Sequence, residues 1–242
     1  MQLHVESHGH GPVRVGLVHG ILGSALVWRD LVSRADPDRY TFLVPDLRGH
    51  GESDRAASYT LAAFADDLAE TLPQGLDAVV GHSLGGRVLF DAVDRLRPAR
   101  AVYLDPGFHL RAPGRSVLGR AFWALPGLQP VLVQAYDRTD PRWGPANVAR
   151  AEESHRHWDR TMLRDVLRAV ATTPVAPTAP FVPSTLVLTD DGRHVVPAAE
   201  VPVYERLGWD VERVRGVHHD LAMEDAARTM RLLDDVLGGA RA

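Results

Sequence analysis

The feature that most constrains this chain is the stretch Gly81-His82-Ser83-Leu84-Gly85. An apolar, strand-like run over 77–80 precedes it, and an amphipathic run over 87–96 follows it. A serine in such a stretch, with a glycine two residues before it and two residues after it, is typical of a nucleophile elbow. Glycine is needed because the strand and the helix pass too closely for larger residues. The pattern predicts that Ser83 stands at the tip of a sharp turn, facing the N–H groups that begin the helix.

The composition indicates a globular protein of one domain, or of one domain with a lid. The chain has 242 residues, is 45% hydrophobic and carries a formal net charge of −4. This balance is ordinary for globular proteins and is not basic enough to suggest nucleic-acid binding. Residues 1–8 lack the apolar core of a signal peptide, and no run approaches the length of a membrane span. We therefore expect a cytoplasmic protein that acts on a small molecule, with no nucleic-acid or membrane partner; the sequence assigns no oligomeric state.

Two residue types are missing, and their absence excludes several kinds of chemistry. The chain contains no cysteine and no lysine. Without cysteine it has no disulfide bonds, no thiol nucleophile and no thiolate metal ligand. Without lysine it cannot form a Schiff base with a substrate or with pyridoxal phosphate. His155 and His157 are two residues apart and would point to different sides of a helix. We expect neither a metal nor an organic cofactor.

Strand-like and helix-like segments alternate along most of the chain. The strand-like segments are 3–7, 13–18, 40–44, 77–80, 101–104, 184–189 and 211–214. The helix-like segments are 25–35, 60–72, 87–96, 197–207 and 221–236. This alternation predicts an α/β fold with a mostly parallel central sheet flanked by helices. In such sheets, ligands bind at the carboxyl ends of the strands.

Residues 108–183 interrupt the alternation. Helical patterns without a clear strand occur near 116–124, 129–136, 143–157 and 159–171. The insertion begins where a strand reaches the ligand-binding edge, which favours a helical cap, or lid, over 108–183. The core domain would then comprise 1–107 and 184–242. The alternative is a set of extra helices that cover an edge of the sheet.

Four motifs, in this order, resemble those of α/β-hydrolase-fold enzymes that carry a cap. They are His-Gly-Ile-Leu-Gly at 19–23, Asp-Leu-Arg-Gly-His-Gly-Glu-Ser at 46–53, Gly-His-Ser-Leu-Gly-Gly at 81–86 and Gly-Val-His-His-Asp at 216–220. The resemblance extends over essentially the whole chain. It implies the α/β-hydrolase fold with an inserted helical cap, and a serine hydrolase of carboxylic esters, lactones or acyl thioesters.

The resemblance also implies which residues carry the chemistry. Ser83 would be the nucleophile, and a base must take its proton because a neutral serine is a weak nucleophile. The family places that histidine after the last strand, where His219 fits best. His218 is the alternative, since neighbouring side chains point apart and only one of them can face Ser83. The backbone N–H groups of Ile21 and Leu84 would form the oxyanion hole.

An apolar pocket for the substrate is expected beside these groups. Aromatic faces are common walls of such pockets. The cap holds three of the five tryptophans of the chain, and His82 is the neighbour of the nucleophile. The candidate substrate-binding residues are His82, Trp123, Trp143 and Trp158.

The acid of the triad is where this sequence departs from the family pattern. In many relatives, an aspartate follows the next-to-last strand, and an ungapped alignment puts Arg193 at that place. An arginine cannot accept a hydrogen bond from an imidazole. Asp190 or Asp191 in the same loop are alternatives, as is Asp105 at the end of strand 101–104. Some lactonases, thioesterase domains and dehalogenases of this fold carry the acid at that last position. Adjacent strands are about 4.8 Å apart, so both loops can reach one histidine, and we favour Asp105.

The reaction that we expect is hydrolysis through an acyl-enzyme on Ser83. Three alternatives remain open at this point. The protein could cleave a carbon–carbon bond, or transfer an acyl group to an acceptor other than water. It could also bind a small molecule without catalysis and keep a vestigial triad, as some hormone receptors of this fold do. The displaced acid supports that last alternative, whereas the intact elbow and His219 argue against it.

Overall fold

The computed structural model describes residues 1–110, 141–190 and 195–238. Over these ranges the chain forms one seven-stranded sheet with helices on both faces. The strands are β1 (Val5–Gly9), β2 (Val13–Val18), β3 (Tyr40–Pro45), β4 (Ala78–His82), β5 (Ala101–Leu104), β6 (Ser184–Thr189) and β7 (Asp210–Val214). The α-helices are α1 (Arg29–Val32), α2 (Leu61–Thr71), α3 (Leu84–Leu96), α4 (Gly144–Ser154), α5 (Met162–Thr172), α6 (Val201–Arg206), α7 (Leu221–Glu224) and α8 (Ala226–Gly238). Short 3₁₀ helices precede α1 and α4, at Ala25–Trp28 and Pro141–Trp143.

The sheet is mostly parallel, as predicted. Its strand order is β1-β3-β2-β4-β5-β6-β7, and only the pairing of β1 with β3 is antiparallel. The six parallel strands, β2 to β7, therefore end at the same edge of the sheet. β4, which leads into the Gly-His-Ser-Leu-Gly stretch, lies at the centre between β2 and β5. The loops that follow β2, β4, β5 and β7 consequently meet above the middle of the sheet.

The sheet is held in place by apolar side chains on both faces. On one face α2, α3 and α6 bury residues such as Phe64, Leu89 and Tyr204. On the other face α1 and α8 bury residues such as Leu31 and Leu233. Strands that are covered on both sides read as continuous apolar runs, which is why the segments of β4 and β5 lack alternation. Because each fully buried side chain of this size contributes about 1.5–3 kcal/mol, β4 is a rigid base for the residues that follow it.

The first strand differs from the predicted one by two residues. It covers 5–9 rather than 3–7, because its antiparallel pairing with β3 starts with Val5 opposite Pro45. Leu3 lies before the strand and is buried in the core instead. Leu3, the first residue of the predicted strand, is therefore a core residue of the segment before β1.

Three predicted helices are shorter or broken. The helix predicted over 25–35 is a 3₁₀ turn followed by the four-residue α1. The helix predicted over 197–207 starts only at α6, with Pro202 in its first turn, where the missing N–H of proline does no harm. The helix predicted over 221–236 is interrupted at Asp225, whose φ of −142° and ψ of 72° are not helical.

The predicted cap, 108–183, falls partly outside the described residues. The helical patterns near 116–124 and 129–136 lie there, and so does Trp123. The patterns near 143–157 and 159–171 correspond to α4 and α5. The division into core and cap remains a prediction.

Helices α4 and α5 are joined to the sheet-bearing part of the chain by specific polar contacts. The Tyr59 hydroxyl donates to Asp159 Oδ2 at 2.7 Å, and Asn147 Nδ2 donates to the Met223 carbonyl at 2.8 Å. His50 and Trp158 also form an isolated antiparallel backbone bridge. One of these contacts is made from within α4 and two from the segment between α4 and α5, so this part of the chain is fastened beside the sheet edge.

Candidate active site

Ser83 alone makes the turn between β4 and α3. Its φ of 52° and ψ of −114° lie in a region that residues with a Cβ rarely adopt, at a cost of about 1–3 kcal/mol. The Ser83 N–H donates to Leu104 O at 3.1 Å, and its carbonyl accepts from Gly107 N at 2.7 Å. The turn is therefore anchored to the neighbouring strand, β5, and to the loop that follows it.

The glycines around Ser83 are required by close backbone approaches. A Cβ added to Gly81 would lie 2.5 Å from the Gly85 carbonyl oxygen. A Cβ on Gly85 would lie 2.3 Å from the Val18 carbonyl oxygen, and one on Gly86 would lie 2.7 Å from Pro106 Cβ. Since these distances are far shorter than a normal contact, any side chain there would push α3 away from the strand ends and the loop that it touches, and would move Ser83.

The structure brings Ser83, His219 and Asp105 together. His219 lies in the loop between β7 and α7, and its Nε2 is 2.8 Å from Ser83 Oγ. Its Nδ1 is 2.7 Å from Asp105 Oδ2. A carboxylate only accepts hydrogen bonds, so Nδ1 carries the ring proton. Nε2 then accepts the hydroxyl hydrogen of Ser83.

Asp105 is held rigidly at the end of β5. Its side chain is buried and also accepts from the Thr189 hydroxyl, 3.1 Å from Oδ2, and from the Thr189 N–H, 3.4 Å from Oδ1. Its own N–H donates to Val187 O at 2.8 Å. These bonds tie the carboxylate to the adjacent strand, β6. Asp105 has a φ of 41°, another positive value for a residue with a Cβ.

Within the described residues, two of the other candidates for the acid and the base, Asp190 and His218, form no hydrogen bond with the reacting groups. Asp190, at the end of β6, is exposed. Asp191 and Arg193 lie outside the described residues. His218 directs its Nδ1 to Glu224 Oε2 at 3.0 Å, and its backbone N–H donates to the same oxygen. Glu224 thereby holds His218 against α7.

The two N–H groups expected at an oxyanion hole belong to Ile21 and Leu84. Leu84 is the first residue of α3, so its N–H has no partner within the helix. Neither N–H donates a hydrogen bond to any group in the described ranges. Ile21 lies in a tight loop that is closed by a bond from Gly23 N to Gly20 O at 3.1 Å. Both groups are therefore available to an anionic oxygen near Ser83.

Two buried histidines brace the loop that contains Ile21. His19 Nε2 accepts from Leu47 N at 3.0 Å, and its Nδ1–H donates to Gly20 O at 2.7 Å. His50 Nε2 accepts from the N–H of Leu22, a residue with a φ of 63°, at 3.3 Å. Burial lowers the pKa of His19 and lowers the pKa of His50 to about 3. Both rings are neutral acceptors for backbone N–H groups, and the first two family-like motifs meet through them.

A cavity of about 90 Å³ adjoins Ser83 and His219. Its apolar wall combines residues of the sheet-bearing part of the chain with residues in and just before α4. They are Val27, Trp28, Trp143, Ala151, Ala222 and Met223. His82, one of the predicted substrate-binding residues, also lines it. Such a site, apolar with a few converging polar groups, is typical for small ligands.

The predicted tryptophans have different positions. Trp143 lines the cavity. Trp158 does not: it is buried in the main apolar cluster, beside the bridge to His50. Trp158 is therefore a core residue of the segment between α4 and α5. Trp123 lies outside the described residues.

Two further features concern the part of the chain that the structure describes. No group of three or more His, Cys, Asp or Glu side chains there is arranged to hold a metal ion. None of the helices within 1–110, 141–190 and 195–238 combines the length and the apolar character that crossing a bilayer requires.

Comparisons with known proteins agree with the fold. Among curated proteins, the chain is 37% identical over 117 residues to lipase LipV of Mycobacterium tuberculosis, which covers 46% of this chain and 44% of that protein. It is 40% identical over 89 residues to 2-(acetamidomethylene)succinate hydrolase of Mesorhizobium japonicum, covering 35% of this chain and 31% of the relative. The matched part spans less than half the length of either relative.

Among solved structures, an esterase from Exiguobacterium antarcticum superposes with a TM-score of 0.77 at 14% sequence identity, over 98% of this chain and 95% of that one. At this identity the likeness concerns the fold alone. The family model described as the alpha/beta hydrolase family matches residues 17–232, which is nearly the whole chain. The protein therefore belongs to the alpha/beta hydrolase family.

Proposed function

We propose that this protein hydrolyses a carboxylic ester, a lactone or an acyl thioester through an acyl-enzyme on Ser83. The observation that carries the proposal is the row of hydrogen bonds from Ser83 Oγ to His219 Nε2, 2.8 Å, and from His219 Nδ1 to Asp105 Oδ2, 2.7 Å. A hydroxyl, an imidazole and a buried carboxylate in this order form the arrangement that activates serine in many hydrolases. Relatives that carry the names lipase, esterase and hydrolase support hydrolysis as the reaction class.

In the first half of the reaction, His219 Nε2 takes the hydroxyl proton while Ser83 Oγ attacks the substrate carbonyl. Asp105 keeps the Nδ1–H tautomer and stabilises the imidazolium that forms. The N–H groups of Ile21 and Leu84 donate to the negative oxygen of the tetrahedral intermediate. Each such donor is typically worth about 10²–10³ in rate.

The tetrahedral intermediate then collapses: its bond to the leaving oxygen or sulfur breaks, and the His219 imidazolium protonates the leaving alcohol or thiol. This step completes the first half of the reaction and leaves the acyl group on Ser83. In the second half, His219 takes a proton from water, which attacks the acyl carbonyl. The imidazolium returns that proton to Ser83 Oγ as the bond between Oγ and the acyl carbon breaks and the carboxylic acid leaves. The presence of an acceptor at His219 Nδ1 supports an active triad over a vestigial one, because the imidazole keeps its orientation through both steps.

The proposal can be tested by labelling and by turnover. A fluorophosphonate should add one adduct to Ser83, which intact-mass and peptide analysis would detect, and the Ser83→Ala variant should remain unlabelled. Turnover of p-nitrophenyl acetate and butyrate, a lactone series and an acyl thioester series would identify the substrate class. A folded wild-type protein with neither adduct nor turnover would contradict catalysis and favour a binding protein.

A further inference from the structure

His82 connects the strand that carries the nucleophile to the loop that carries the base. It is the last residue of β4 and is only 9% exposed. Its Nε2 lies 2.7 Å from the main-chain carbonyl oxygen of His219. Because a carbonyl only accepts, His82 Nε2 must carry the ring proton in this contact. The bond therefore selects one tautomer of His82 and fixes the backbone of His219 from the side of the strand.

The ring of His82 also fills the space between two loops of the site. Its centroid is 4.9 Å from that of the His219 ring, with the planes inclined by 50°. On its other side, a Cβ added to Gly20 would lie only 3.1 Å from His82 Nδ1. The ring is thus packed between the loop of Ile21 and the loop of His219, so its position affects both.

The position of His82 beside His219 favours a neutral imidazole ring. Burial, together with the proximity of His219, lowers the pKa of His82, although Asp220, 3.9 Å from Nε2, acts in the opposite direction. His82 therefore adds no positive charge beside His219 when that ring takes the Ser83 proton. A permanently charged side chain here would oppose that step.

We propose that His82 is a positioning residue, which holds the imidazole of His219 in line with Ser83 by donating a hydrogen bond from Nε2 to the His219 carbonyl. The proposal rests on the function proposed above and extends it to a residue that neither carries nor receives the transferred proton. A displacement of about 1 Å in a reacting group can cost about 10²-fold in rate. A bond that sets the position of the base should therefore affect kcat much more than KM.

Three substitutions separate the hydrogen bond from the shape of the ring. His82→Gln keeps an uncharged N–H donor at about the reach of Nε2, whereas His82→Asn has a shorter donor and His82→Leu has none. We expect kcat for p-nitrophenyl butyrate to fall about 10- to 100-fold in the Leu and Asn variants, with KM within about threefold of wild type. His82→Gln should keep kcat within about fivefold. A Gln variant as slow as the Leu variant, or a change confined to KM, would overturn the proposal.

Side-chain ¹H–¹⁵N correlation spectra of the histidines give a reading that does not need turnover. In the wild type, His82 should be the Nε2–H tautomer, and the opposite tautomer would contradict the proposed bond. In folded His82→Leu protein, the ring signals of His219 should shift or broaden, and in His82→Gln they should stay close to wild type. Unchanged His219 signals in His82→Leu would overturn the positioning role. The spectra do not depend on activity. A protein without turnover would therefore contradict the proposed hydrolysis, whereas the spectra would still show whether His82 positions His219.

Discussion

Asp105 Oδ2 lies 2.7 Å from His219 Nδ1, although 114 residues separate them in the sequence. The contact forms because β5 and β6 are neighbours in the sheet and the loop after β7 folds back over their ends. The carboxylate thus comes from the end of β5. The loop after β6, where many relatives carry the acid, has Arg193 at the corresponding place.

This contact predicts that Asp105→Asn nearly abolishes turnover. An amide would favour the wrong tautomer of His219, and the same exchange in a serine protease lowers kcat about 10⁴-fold. Asp190→Asn is the matched control, because Asp190 is exposed at the end of the next strand; it should stay within about threefold of wild type. Steady-state kinetics with p-nitrophenyl butyrate measure both. An active Asp105→Asn variant together with an inactive Asp191→Asn variant would assign the acid to the other loop.

The close approach of α3 to the end of β2 predicts that Gly85→Ala is strongly destabilising. The added Cβ would lie 2.3 Å from Val18 O and 2.5 Å from His19 O, both of which are backbone atoms in or next to a central strand. Overpacking of this kind typically costs about 1–3 kcal/mol, occasionally more. Gly238→Ala serves as the control, because a Cβ added there would meet no atom within 4 Å and the position is helical. Urea unfolding should give a lower midpoint for Gly85→Ala, and an unchanged or slightly higher one for Gly238→Ala. Equal midpoints for wild type and Gly85→Ala would contradict the packing argument.

The buried imidazole of His50 predicts a loss of stability in acid. Its pKa is about 3 in the folded protein, below the ordinary value of 6.5 that applies to the unfolded chain. Above pH 6.5 both states are neutral; below it the unfolded state binds a proton that the folded state does not. His50 alone should therefore lower the free energy of unfolding by up to about 1.4 kcal/mol per pH unit between pH 6.5 and about 3.

Urea titrations at several pH values test this expectation. His50→Asn should be less stable than wild type near pH 7.5, since it loses the acceptor for Leu22 N, but its stability should fall less steeply with acid. The same slope in the variant and the wild type would show that other groups cause the acid sensitivity.

The different positions of two tryptophans predict two different phenotypes. Trp143→Ala enlarges the cavity beside Ser83, so the preference for longer acyl chains should rise. With about 0.8 kcal/mol per buried methylene, each additional one that fits is worth about fourfold in kcat/KM. Trp158→Ala should instead cost about 3–5 kcal/mol of stability, because it empties a site in the core.

A p-nitrophenyl ester series from acetate to octanoate, with thermal unfolding measured in parallel, distinguishes these outcomes. A shift of chain-length preference in Trp158→Ala, with none in Trp143→Ala, would mean that the cavity beside Trp143 does not hold the acyl group.

The strands of the sheet could be predicted from the sequence because they are short apolar runs separated by strong turn signals. Helix boundaries were less accurate. Pro202 carried a usable signal, since proline favours a first turn, but nothing in the residue type of Asp225 indicated a break. That break depends on how α7 and α8 pack against the sheet.

The arrangement of the candidate active site could be predicted only in part from the sequence. The match to the family's histidine position after the last strand favoured His219 over His218, and the contact of His218 with Glu224 adds a reason that only coordinates supply. Trp158 and Trp143 could not be distinguished, because residue type does not reveal which side of an inserted helix meets the core. The hydrogen bond from His82 to the His219 carbonyl could not be predicted either, since every residue has a main-chain carbonyl and the sequence does not indicate which one accepts.

Among the described residues other than glycine, four have positive φ angles: Leu22, Ser83, Arg97 and Asp105. Three of them belong to the loops around the reacting hydroxyl, whereas Arg97 ends α3 far along the chain. A search for heat-resistant variants would therefore meet a conflict at those three places, since relaxing the backbone there also releases the geometry on which turnover depends. Arg97 lies outside those loops, so Arg97→Gly, which suits the left-handed backbone at the end of α3, should raise thermal stability without changing the geometry around Ser83.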